Sequence, residues 1–188
     1  MITIRQGRKE DAAFIAKGVA MAIGEESIRF YCGEEYLSVL AHIASMEVSQ
    51  YSYRNALIAE ADGDRVGVAL SYDGNRLAAL RAPTLHYIFE ATGTHHRIPD
   101  ETGPGELYLD TLAVLPEVRG KGIGGKLIEA VKERAKAMDL PATGLLVDFD
   151  NHPAQKLYAA HGFRPNGTQD FLGHPMHHLL APLVLGQS

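Results

Sequence analysis

The residues whose types and spacing carry the most chemistry are Arg119-Gly120-Lys121-Gly122-Ile123-Gly124-Gly125. A strand-like run, Leu107 to Val114, precedes them, and Ile123, Leu127, Val131 and Met138 follow at helical spacing. A glycine-rich turn that opens a helix is an anion site. Its glycines let several backbone N–H groups converge on one point, and the helix dipole adds positive potential there. Arg119 and Lys121 add full positive charge, so the expected ligand carries phosphates.

Three phosphate-binding patterns compete for this turn. A P-loop requires Gly-x-x-x-x-Gly-Lys-Ser/Thr. Gly120, Gly125 and Lys126 comply, but Leu127 stands where a magnesium-binding hydroxyl is needed. The dinucleotide fingerprint Gly-x-Gly-x-x-Gly is met by Gly120, Gly122 and Gly125, with Asp148 near the distance of a ribose ligand, which makes NAD(P) one alternative. In that fold the glycines follow the strand almost at once, whereas Leu115 to Arg119 intervene here.

The third pattern accounts for more residues. Leu112-Ala113-Val114-Leu115-Pro116-Glu117-Val118-Arg119-Gly120-Lys121-Gly122-Ile123-Gly124 resembles the acyl-CoA motif of the GNAT superfamily of N-acyltransferases, with Arg119, Gly122 and Gly124 at its defining positions. Asn151-His152-Pro153-Ala154-Gln155-Lys156-Leu157-Tyr158, followed by Gly162-Phe163, resembles a second signature of that family in the expected order. The close resemblance covers about residues 106 to 165.

This resemblance implies acetyl-CoA as co-substrate, a primary amine as acceptor, direct transfer in a ternary complex, and no metal. The pyrophosphate would lie on the Arg119–Gly125 turn, where backbone approach demands small residues at Gly122 and Gly124. Pantetheine would run along Leu112, Ala113 and Val114 like an added strand. A backbone N–H there would polarise the thioester carbonyl. Asn151 would bond the pantetheine or cap its own helix, with Ala154 beside it. Tyr158 matches the family tyrosine that protonates the departing thiolate. Its phenol is protonated at neutral pH and can donate. Asp110, an acid two residues before the Leu-Ala-Val segment, is the expected base, or else a structural hydrogen-bond acceptor. Glu106 shares its strand face by period-two spacing. A protein that binds acyl-CoA as a sensor without catalysis would keep the turn but need neither Tyr158 nor Asp110.

The elements that must position these residues follow from pattern. Ile2 to Arg5 alternates like a strand, Lys9 to Ile23 is helical with Asp11 in the first turn and Gly24 as a stop, and Glu34 to Met46 is a second helix. Ala56–Ala61 and Arg65–Tyr72 flank Asp62-Gly63-Asp64, a hairpin signal. Thr143–Phe149 is a fifth strand, Asn151 caps a helix to His161, a sixth strand follows Gly162-Phe163, and His177–Leu183 is the last. The family resemblance then implies the fold class α/β (α+β), a mixed, mostly antiparallel sheet of six to seven strands flanked by helices on both faces, in one domain expected to span residues 1–188. Residues 73–105 exceed a plain turn and are an expected insertion between the third and fourth strands, with one or two helices around Leu77, Leu80, Leu85, Ile88 and Phe89.

Composition narrows the function classes. A net charge of −5 argues against broad nucleic-acid binding. Cys32 is the one cysteine, so no intramolecular disulfide forms, which fits a reducing cytoplasm. No apolar run reaches the length of a membrane span, and the start of the chain lacks a signal-peptide pattern, so a soluble cytoplasmic protein is expected. Of nine histidines, His95-His96 and His174, His177, His178 form clusters, but neither has zinc-ligand spacing, and surface or acceptor-pocket roles are expected. The partners implied are acetyl-CoA and a small-molecule or peptide amine. The resemblance also allows a homodimer paired through terminal strands, at Leu179-Leu180.

Overall fold

The computed structural model describes residues 1–184. The chain runs β1 (Ile2–Gln6), α1 (Ala12–Ile23), α2 (Glu25–Cys32), α3 (Tyr36–Ser45), β2 (Ala56–Ala61), β3 (Asp64–Asp73), α4 (Leu77–Thr92), β4 (Leu107–Val114), α5 (Ile123–Ala137), β5 (Ala142–Asp148), α6 (His152–Ala160), β6 (Arg164–Phe171) and β7 (His174–Pro182). The seven strands form one sheet in the order β1-β2-β3-β4-β5-β7-β6, and β4–β5 is its parallel pair.

Expected elements recur with small shifts in their ends. The helix predicted from Lys9 opens as one 3-10 turn at Lys9–Asp11 before α1. Asp11 is buried and holds Arg5 at 2.7 Å and Arg65 at 2.6 Å, so it anchors the sheet edge as well as opening the helix. An additional helix, α2, stands where the sequence pattern showed only a stop. Gly24 and Gly33 bracket it with φ of +95° and +76°, and the eight residues between bury just Ile28 and Cys32, too few for a visible stripe. The 73–105 insertion holds one helix, α4, followed by an irregular stretch to β4.

Two cores cover the two faces of the sheet. On one, α1, α2, α3 and α4 bury Ile15, Val19, Ile28, Leu40, Ile43 and Ile88 against Ile58, Val68, Leu70 and Ala113. Gly18 permits this approach, because a Cβ there would overlap the Val68 side chain. On the other, α5 buries Leu127, Ile128 and Val131 against Leu57, Leu109, Leu145 and Val147. Each such side chain contributes about 1.5–3 kcal/mol on burial, which fixes α5 and hence the turn at its N-terminus. No helix among the described residues is long and apolar enough to cross a membrane.

Candidate active site

The sheet opens in the middle. β4 and β5 pair only at Leu107↔Thr143 and Tyr108↔Gly144, then diverge, while β5 stays paired with β7 from Ala142 to Asp148. From Leu109 to Val114 the β5-facing edge of β4 has no strand partner. Backbone groups left this way need hydrogen bonds, so the wedge suits an extended ligand that pairs like a strand.

A bulge sets what faces the wedge. Leu70 pairs with Thr111 and Ser71 with Leu109, so Asp110 is the extra residue of β4. Leu107, Leu109, Leu112 and Val114 pack toward α5, whereas Ala113 packs toward α1, and the alternation slips by one between Leu109 and Leu112. Bulges re-aim side chains in this way.

Asp110 sits in a polar network that the sequence did not announce. Its Oδ2 accepts the Tyr72 hydroxyl at 2.9 Å and its Oδ1 the Thr111 hydroxyl at 2.9 Å. Tyr72 Oη also lies 3.2 Å from Glu101 Oε1 and accepts from Gln50 Nε2 at 3.2 Å. Gln50 Nε2 reaches Glu101 Oε1 at 3.0 Å. Arg81, buried on α4, pairs with Glu101 and holds Asp100 at 2.8 Å. Burial first, then the neighbouring charge of Glu101, push the Asp110 carboxyl up to about 7, against the hydrogen bonds from Tyr72 and Thr111 and the charge of Arg81. Burial and the same two carboxylates hold Tyr51, Tyr72 and Tyr108 well above the usual phenol range.

Glu106, the other acid on this face, is engaged elsewhere. Thr102 donates to its Oε1 at 2.6 Å, and His178 Nε2 meets its Oε2 at 2.8 Å, with Asn166 Nδ2 3.1 Å from His178 Nδ1. Gly144 makes room for it, since a Cβ there would overlap the carboxylate. These residues line a cavity of about 320 Å³ between the stretch from Asp100 to Glu106 and strands β6 and β7. His177 faces the other way and stacks on Phe149 at 4.0 Å.

The two sequence motifs meet across α5 and α6. Gly122 caps α5 with φ +76°, and Gly120 has φ +77°, both favourable for glycine alone. Gly120, Lys121, Gly122 and Arg119 are exposed, and Arg119 Nε donates to the Val114 carbonyl at 3.1 Å, which ties the turn to the end of β4. Gly124 faces Leu157: a Cβ there would stand 3.5 Å from Leu157 Cδ2, ordinary contact. Within the protein itself, then, backbone conformation favours glycine at Gly122, and a Cβ at Gly124 meets only ordinary contact. A Cβ on Gly125 would come within 2.7 Å of the His161 ring, so Gly125 serves helix packing. The Ile123 side chain lies in the core, which leaves only its backbone amide for a ligand.

Asn151 caps α6, its Oδ1 accepting from Ala154 N–H at 3.2 Å. Tyr158 packs on the α5 side, its ring 5.7 Å from that of Phe163. Burial pushes its phenol up to about 12. Its hydroxyl has no hydrogen-bond partner among the described residues. Cys32 is buried and its thiol is pushed up to about 11, the state of a packing residue and not of a nucleophile.

Tyr72, Gln50, Arg81 and Glu101 were missed by sequence reasoning. One signal was present: Leu77, Leu80, Arg81, Thr84 and Ile88 form the buried stripe of α4, and an arginine on such a stripe requires an anion.

Residues 25–163 match the model of the Acetyltransferase (GNAT) family. The chain is 37% identical over 64 residues to the putative (ribosomal protein bS18)-alanine N-acetyltransferase of Bacillus subtilis, covering 34% of this chain and 42% of that protein. It is 44% identical over 52 residues to the D-amino-acid N-acetyltransferase HPA3 of Saccharomyces cerevisiae, covering 28% and 32%. The chain thus spans less than half the length of these two relatives. A crystal structure described as an acetyltransferase superposes with a TM-score of 0.82 at 34% identity over 96% of this chain and 98% of that one. An N-acetyltransferase from Staphylococcus aureus Mu50 gives 0.76 at 25% identity over 95% and 99%.

Proposed function

The chain belongs to the GNAT acetyltransferase family, and on that premise we propose that it transfers an acetyl group directly from acetyl-CoA to a primary amine of a small molecule or peptide. The observation that carries this reading is the wedge between β4 and β5, with a basic, glycine-rich turn at its open end and the bulged Asp110 within it. Pantetheine pairs with the free edge from Leu112 to Val114. The pyrophosphate takes the backbone N–H groups of the Gly120–Gly125 turn, with Arg119 and Lys121 supplying charge. Asn151 and Ala154 frame the donor beside α6.

Because the sheet is parted there, a thioester in the wedge is reachable from both faces. Asp110 is on the α4 side and Tyr158 on the α5 side. The amine nitrogen forms a bond to the acetyl carbon as the C–S bond breaks. Its proton goes to Asp110, and the thiolate takes the Tyr158 proton. An alkyl amine with a pKa near 10.4 is about one part in a thousand neutral at pH 7, roughly 4–5 kcal/mol of barrier that a base helps to remove. A carboxyl poised near 7 accepts a proton at neutral pH better than an ordinary aspartate. No metal enters the scheme, and the setting is a reducing, cytoplasmic one.

The test is a panel of primary amines with acetyl-CoA, read by thiol release and by mass spectrometry of the acetylated amine. Acetylated product formed in step with free CoA supports the proposal. Tight acetyl-CoA binding without turnover on any amine, unaltered by Tyr158→Phe, would instead favour a sensor.

A further inference from the structure

We propose that the Arg81–Glu101 pair, carried by the segment inserted between β3 and β4, acts on the Asp110 carboxylate through the shared hydroxyl of Tyr72, so that the insertion is part of the proton-transfer apparatus. The proposal rests on the acetyl-transfer reading above for its consequence in turnover, but on geometry for its substance. Tyr72 Oη carries one proton and stands 2.9 Å from Asp110 Oδ2 and 3.2 Å from Glu101 Oε1. It can donate to only one of them at a time. Gln50 Nε2 fills its acceptor side and also touches Glu101, which fixes the hydroxyl between the two acids. Glu101 cannot swing away, because Arg81 is buried beneath it and Arg81 is itself tied to the Ile98 carbonyl at 3.0 Å and to Asp100.

Two carboxylates bridged by one hydroxyl influence each other in opposite ways. The charge of Glu101 favours the protonated form of Asp110, while the Tyr72 hydroxyl favours the ionised form. Other groups around Asp110 are Thr111 on β4, Tyr108 on β4 with Glu106 before it, Tyr51 ahead of β2, and Arg81 on α4. Of these, Arg81 is the cation that acts on Asp110, and it is already paired with Glu101 and Asp100. Glu101 and Tyr72 are thus positioning residues: they touch Asp110 or its bridge, not the acetyl group.

The signature is a pair of shifts of opposite sign. Glu101→Gln removes a charge and keeps the shape, so the Asp110 midpoint falls by about one pH unit. Tyr72→Phe removes a hydrogen bond to the carboxylate, so the midpoint rises. Glu101→Asp keeps the charge and stays closer to the unsubstituted protein than Glu101→Gln. The experiment is a pH titration of the Asp110 carboxyl by carbon NMR, beside the pH profile of kcat/KM. With a midpoint moved from about 7 to about 6, Glu101→Gln at pH 6 reaches about half of its plateau, about five times the fraction the unsubstituted protein reaches there.

Midpoints that do not move, or that move together in one direction, overturn the inference. Tyr72→Phe loses a single hydroxyl and leaves the Arg81–Glu101 pair in place, so an Asp110 midpoint that does not rise in it overturns the inference even if Glu101→Gln does not fold. The NMR readout needs no turnover. Opposite shifts without turnover sustain the network and count against acetyl transfer. Turnover whose acid limb follows neither variant sustains transfer and overturns the network.

Discussion

Replacing Asp110 by asparagine is expected to stabilise the fold at pH 8 while removing activity. Most acidic groups in folded proteins titrate below their unfolded value. Asp110 does the reverse, rising from 3.8 to about 7, because burial and the Glu101 charge outweigh its hydrogen bonds. Below pH 3.8 both folded and unfolded chains carry the proton, and the group has no effect on stability. Between 3.8 and 7 the unfolded chain releases the proton and the folded chain keeps it, so stability falls by about 1.4 kcal/mol per pH unit. Above 7 the full penalty stands, on the order of 4 kcal/mol for about three units, reduced toward about 2 because Asp110 keeps some contact with solvent. Asparagine keeps the shape and carries no charge. The assay is urea unfolding of both proteins at pH 8 and pH 4. The variant should be more stable by about 2–4 kcal/mol at pH 8, or about 4–16 °C in melting temperature for a chain of this size, and nearly equal at pH 4. A difference of the same size at both pH values, or a variant weaker at pH 8, would refute the reasoning.

Three further outcomes follow from single positions. Tyr158→Phe should lower kcat by about 10²–10⁴-fold with acetyl-CoA affinity retained, measured by steady-state kinetics beside calorimetric titration; loss of affinity instead would make Tyr158 a packing residue. Gly122→Ala forces φ of +76° on a residue with a Cβ, so it should cost about 1–2 kcal/mol by denaturation and raise the KM for acetyl-CoA; an unchanged KM would take the turn out of the donor site. Gly144→Ala places a methyl on the Glu106 carboxylate and should destabilise by about 1–3 kcal/mol, with the His178 ring signals shifted in NMR; neutral behaviour would show that the Glu106–His178 contact is not maintained.

The glycine-rich turn and the cap of α6 were legible in the sequence because their devices are local. A left-handed Gly122, a basic turn and an Asn151 cap each act within a few residues, so their spacing is preserved in the chain. The strands and most of the helices were legible for the same reason, since alternation and helical stripes are short-range patterns, whereas their assembly into one mixed sheet was implied by the family resemblance and the order of strands within it came from the structure alone. Short α2 was hidden, since eight residues with two buried side chains leave no period to read. The polar network around Asp110 was hidden more deeply. Tyr72, Arg81 and Glu101 come from β3, α4 and the stretch before β4, and only the register of β3 on β4, with its bulge at Asp110, brings them together. Asp110 was visible as a residue, but its environment depends on partners up to sixty positions away. Glu106 shared the predicted face and proved to be committed to Thr102 and His178.

The central claim is that acetyl-CoA occupies the wedge between β4 and β5 and the turn at its open end. Thermal unfolding with excess acetyl-CoA, beside NAD(H) and ATP, tests it most directly. At about a hundred times the dissociation constant, a ligand of the folded state adds roughly 2.7 kcal/mol, about 5–11 °C here. The account predicts that shift with acetyl-CoA alone, and its reduction in Gly122→Ala. No shift with acetyl-CoA, or a shift with NAD(H) in its place, would contradict it.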